Sequence, residues 1–194
     1  MKKSYRILLI FVIISLFAIL SSFIDYNDLS SYDIVSGISF DYDGENWTVV
    51  CEICLPSSNN DFGSSAEYVK VKDLTLKSAL KKAGLKSPNL LYTDSVQLYL
   101  FNNNAFSNDE LKEFFMSEGC NIRAVAICVD GNAADLLFDE KESNQRAKSL
   151  SLADKIKNMS KYWSIPMPTV SNYLKNKNQI FINKQNELER GRIT

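Results

Sequence analysis

The stretch Tyr32–Pro56, YDIVSGISFDYDGENWTVVCEICLP, holds two runs rich in β-branched and aromatic residues around a polar break. Asp43-Gly44 in that break is a hairpin signal, because glycine takes positive φ without steric cost. The stretch predicts strands at about Ile34–Asp41 and Trp47–Leu55, with Pro56 ending the second. Beyond it, SSNNDFGSS reads as a polar loop and AEYVKVKD as a short edge strand.

Working outward, TLKSALKKAG predicts a helix capped by Thr75 and stopped by Gly84. Leu76, Ala79, Leu80 and Ala83 fall on one face of it. SVQLYLF alternates Val96, Leu98 and Leu100 on one side, as a strand does. SNDELKEFFMSEG predicts a helix opened by a Ser107–Glu110 capping box and closed at Gly119, with Leu111, Phe114 and Phe115 inward. NIRAVAICVD is an almost unbroken apolar run, the mark of a central strand buried on both faces. GNAADLLFDE predicts a short helix with Ala133, Leu136 and Leu137 inward. A second capping box, Ser151 with Asp154, predicts a helix to about Tyr162 with Leu152, Ile156, Met159 and Trp163 on its apolar side. SIPMPTV breaks that helix, Thr169 caps a last one, and the tail after Phe181 has no apolar period and is expected to fray. The fold class is α/β (α+β): one mixed sheet of about four to five strands flanked by helices, preceded by one N-terminal transmembrane helix.

That first helix rests on the other end of the chain. Lys2, Lys3 and Arg6 precede an apolar run from Ile7 to Ile24, and Asp25, Asp28 and Asp33 follow it. The charge order predicts an N-in, C-out orientation with the main domain extracytoplasmic. Cleavage after Ala18, Ser21 or Ser22 would put Leu16, Ile19 or Leu20 at position −3, where signal peptidase needs a small residue. The reading is therefore a retained helix, with a cleaved secretory signal as the alternative. Three segments follow: residues 1–24 as signal-like segment or anchor, 25–165 as the main domain, and 166–194 as a C-terminal helix and frayed tail.

The 194 residues carry a formal net charge of −1 and no histidine. The even charge gives no support to nucleic-acid binding. The missing histidine removes the commonest general base and metal ligand. Cys51 and Cys54 form a C-x-x-C pair, but inside a strand, where residues three apart face opposite ways, so buried thiols are preferred to a redox pair. Cys120 and Cys128 lack zinc-ligand spacing, and the acidic FDYDGEN lacks the order of a calcium loop. No phosphate-binding glycine loop or nucleophile elbow occurs, and no catalytic residue, cofactor or metal is assigned.

The order and spacing of these elements resemble the N-terminal domain of the C-subunit lipoproteins of spore germinant receptors, the GerAC or Ger(x)C family. In SSFIDYNDLSSYDIVSGISFD, Phe23 stands at the lipobox cysteine, Asp25 and Asp28 at the following Asp and Glu, Gly37 at the strand glycine and Asp41 at the strand-ending Asp. DLTLKSALKKAG, NLLYTDSVQLYLF and NIRAVAICVDGNAADLL, with Ala134 at a small residue, continue the likeness, which runs from about Leu20 to Leu174. The family continues into two further domains, so the sequence reads as a first-domain-only homologue, a truncated gene product or a deliberately short variant. The resemblance implies a membrane-held, non-enzymatic receptor subunit acting with integral-membrane A-type and B-type subunits. Two readings stand beside it: an extracytoplasmic thiol-redox protein using Cys51 and Cys54, and an unrelated membrane-anchored ligand-binding domain.

Overall fold

The computed structural model describes residues 10, 12–15, 31–55, 65–117, 119–138, 147–162, 164, 166–175, 179–182 and 188–191. The chain divides into Met1–Ser31 and Tyr32–Thr194. In the first unit, Ile10 and Val12–Ser15 are helical, and the Ser15 hydroxyl donates to the Val12 carbonyl at 2.9 Å. The rest of the expected Ile7–Ile24 helix lies outside the described residues. Among the described residues no helix is long and apolar enough to cross a membrane.

The second unit is a mixed α+β fold around one sheet. Strands β1 (Tyr32–Tyr42), β2 (Trp47–Leu55) and β3 (Ser65–Asp73) form an antiparallel meander. The β1–β2 turn closes because Asp43 Oδ1 accepts from the amides of Glu45 and Asn46, while Gly44 takes φ 103°. Helix α1 (Leu76–Lys86) then leads to β4 (Leu90–Tyr92), which pairs parallel with the start of β1. Strand β5 (Leu98–Asn102) continues that edge in parallel, and β6 (Val125–Val129) pairs parallel with β5. Helices α2 (Asn103–Phe106) and α3 (Asp109–Met116) connect β5 to β6. After β6 come α4 (Ala133–Leu137), α5 (Lys148–Tyr162), α6 (Val170–Leu174), β7 (Gln179–Ile182) and β8 (Leu188–Gly191). The sheet order is β3-β2-β1-β5-β6-β7-β8, with β4 beside β1.

Helices cover both faces. On one side Ile38, Phe40, Trp47, Val49, Tyr99 and Phe101 pack against α1, α2, α3 and α6. Their rings form a continuous set: Phe40 meets Phe114 edge-on at 5.2 Å, Tyr99 meets Phe115 at 5.1 Å, and Phe106 meets Tyr173 at 5.0 Å. Such pairs add about 0.5–1.5 kcal/mol beyond their buried area. On the other side Leu98, Leu100, Val125, Ile127 and Val129 pack against α4 and α5. Every residue of β6 is buried, as its apolar run predicts.

Several expectations need correction. Among the described residues the sheet has eight strands, not four or five, and β8 falls within the tail after Phe181 expected to fray. Val96 joins Tyr99 and Phe101 on the opposite side from Leu98 and Leu100. Helix α1 runs through Gly84 to Lys86 and ends at Ser87, which is extended at φ −74°, ψ 139° because Pro88 follows. Asn108, not Ser107, caps α3. Helix α5 starts three residues before Ser151 and buries Ser149, Ala153 and Ile156. Trp163 lies outside the described residues.

Candidate functional site

Strands β1 and β2 turn an unusual surface toward α4 and α5: small and acidic residues instead of a purely apolar face. Gly37 follows a bulge between Val35 and Gly37 in the β1–β2 pairing. A Cβ at Gly37 would lie 2.4 Å from Ser149 Cβ and 3.4 Å from Leu137 Cδ1. The glycine is thus what allows α5 to approach the sheet.

Beside it stands Glu52, fully buried on β2. Oε1 accepts from the Lys148 amide at 2.7 Å and the Tyr68 hydroxyl at 3.0 Å. Oε2 accepts from the Ser36 hydroxyl at 2.8 Å and the Ser149 amide at 2.9 Å. Helix α5 therefore receives its N-terminal cap from a strand, and the carboxylate lies where the helix dipole favours negative charge. Asp41 does the same for α4: its two oxygens accept from the amides of Ala133 and Ala134, both at 2.7 Å. Burial pushes the Asp41 carboxyl up, against the two amides that hold it down. Among the described residues the buried hydroxyls of Ser39 and Ser149 have no hydrogen-bond partner.

A third carboxylate repeats the device on the opposite face. Glu110 of α3 accepts from the Leu76 amide at 2.7 Å and from Trp47 Nε1 at 3.4 Å, which fastens the start of α1. Between α1 and α3 lies a groove of about 400 Å³, lined by Leu76, Lys77, Leu80, Glu113, Phe114 and Ser117 beside Glu110. A polar cleft of about 340 Å³ opens at the carboxyl ends of β1 and β5, among Asp41, Asp43, Thr48, Asn102 and Asn132.

Cys51 is buried inside β2, and Cys54 follows near the end of the same strand. All four cysteines are free. Burial pushes Cys51 and Cys128 up to about 12, the reverse of what a nucleophilic thiolate needs. No cluster of three or more metal-ligating side chains occurs among the described residues. Of the residues singled out from the sequence, the structure brings Gly37 and Asp41 onto one face. Phe23, Asp25 and Asp28 lie outside the described residues. Sequence reasoning missed Glu52 and misassigned Glu110. A signal for Glu52 was present: a lone acid inside VVCEICL, in phase with Val50.

A family model described as the spore germination protein N-terminal domain matches residues 25–180. The chain belongs to this family. None of the curated proteins and none of the solved structures compared with it matches. In this germination domain the three buried or half-buried carboxylates direct their oxygens at backbone amides of helix starts. That arrangement fixes helices against the sheet and leaves the acids engaged as caps.

Proposed function

We propose that the chain is a membrane-anchored, non-enzymatic accessory subunit of a spore germinant receptor complex, working by protein–protein contact with multi-spanning A-type and B-type subunits. The observation that carries this reading is the family match over residues 25–180. The carboxylates serving as helix caps and the buried thiols are in keeping with a contact role. In this reading residues 1–24 anchor the chain, 25–165 form the working domain and 166–194 complete it. The Ile7–Ile24 run holds the protein N-in, C-out, with the main domain outside the spore inner membrane. Phe23 stands where lipoproteins of the family carry cysteine, so the apolar run takes the place of a lipid.

The test is recovery from spore membranes in mild detergent with a tag on the C-terminus. Co-purification of receptor A-type or B-type subunits is the expected result. Recovery without either subunit, together with expression confined to vegetative cells, would sink the proposal.

A further inference from the structure

Strands β1, β5 and β6 run parallel, so their starts share one end of the sheet. The loops at that end are tied together. Asp33 accepts from the Ser87 hydroxyl and from Asn89 Nδ2 at 3.0 Å. Thr93 donates to the Gly119 carbonyl at 2.9 Å, and Asn121 Nδ2 to the Val96 carbonyl at 2.9 Å. Six exposed large apolar residues of the second unit belong to this end: Ile34, Leu85, Leu90, Tyr92, Met116 and Ile122. Two others lie elsewhere: Leu74 is exposed at the opposite end, next to Asp73, which pairs with Trp47, and Tyr162 is exposed at the end of α5. An apolar concentration of this kind marks an interaction surface.

Its position in the chain points to the occupant. This is the end at which β1 begins. Residues 25–31 join the Ile7–Ile24 run to Tyr32, and seven residues span at most about 25 Å when fully extended. An anchored run keeps the start of β1 within that distance of the bilayer. Tyr92 and Tyr32, in edge contact at 6.0 Å, supply side chains with an apolar body and polar tip, the kind enriched at membrane–water interfaces.

We propose that this end of the domain rests on the lipid surface, with Ile34, Leu85, Leu90, Tyr92, Met116 and Ile122 dipping into the headgroup layer. The inference rests on the anchor reading above but goes beyond it: the domain itself touches lipid and is oriented by that contact.

The full chain reconstituted in phosphatidylcholine–phosphatidylglycerol vesicles with brominated acyl chains tests it. Tyr92→Trp and Leu90→Trp report on the surface, and Leu74→Trp on the opposite end. Leu90 and Leu74 are 66% and 70% exposed, so the replacements leave the core untouched. Fluorescence from Trp at 92 and 90, above the parent signal, should fall at least twofold relative to unbrominated vesicles, with Trp at 74 unchanged. If the chain floats with the vesicles but positions 92 and 90 quench no more than 74, the lipid contact is overturned, the anchor stands, and a protein partner covers this end. If the chain does not float, the anchor reading and the lipid contact fall together.

Discussion

Gly37 and Glu52 work as a pair: one makes room for α5 and the other holds its first turn. Gly37→Ala places a methyl 2.4 Å from Ser149 Cβ, an atom fixed to the helix backbone, so the helix must shift. Overpacking of this kind costs about 1–3 kcal/mol. Urea unfolding should show a lower midpoint with unchanged slope, and Ser149→Gly in the same chain should return part of the loss. Glu52→Ala removes a fully buried carboxylate that accepts four hydrogen bonds, one of them from the Ser149 amide at the start of α5. A loss of about 3 kcal/mol or more is expected. Glu52→Gln keeps one acceptor oxygen and points an amide NH₂ at donors, so its unfolding midpoint should fall between wild type and Glu52→Ala.

At the scale of elements, the helix ends separate what the sequence reveals from what it hides. Thr75 caps α1 and Thr169 caps α6 through their own hydroxyls, accepting from Ser78 and Asn172, and both were legible because the bond is local. Asn132 likewise caps α4 locally, accepting from the Ala134 amide, but Asp41 and Glu52, which also hold the starts of α4 and α5, are acids from strands far away in the chain, which no local pattern encodes. The same competition explains Glu110. Its spacing from Ser107 suggests a capping box, yet its carboxylate reaches Leu76 and Trp47 instead. Hairpin and central strand were readable because period and turn chemistry are local, whereas β7 and β8 depend on the edge that β6 offers. Gly84 gives a test at this scale. It sits within α1 at ordinary helical φ, and a Cβ there meets nothing within 4 Å. Gly84→Ala should stabilise the protein by about 0.5–1 kcal/mol, read as a higher melting temperature. A true helix stop at that residue would give destabilisation.

For the whole molecule, the central question is how the domain is held. Phe23→Cys recreates the lipobox thiol in the family register. In an expression host with lipoprotein processing, the variant should gain the mass of a diacylglyceryl group and begin at residue 23. Wild-type protein found free in the soluble fraction and starting near Phe23 would overturn the retained helix. The sheet order also shapes how the chain reaches its native state. The meander β1–β2–β3 joins neighbours in sequence, but the other edge of β1 waits for β4 and β5, which emerge only after α1 has been made. Until then β1 offers an open row of backbone donors and acceptors flanked by Ile38 and Phe40. Parallel pairing across such a separation is slow to form. Dilution from denaturant should therefore set folding against self-association, with the recovered monomer fraction falling as chain concentration rises. The strand that organises the finished sheet is, for the length of one crossover, its most adhesive edge.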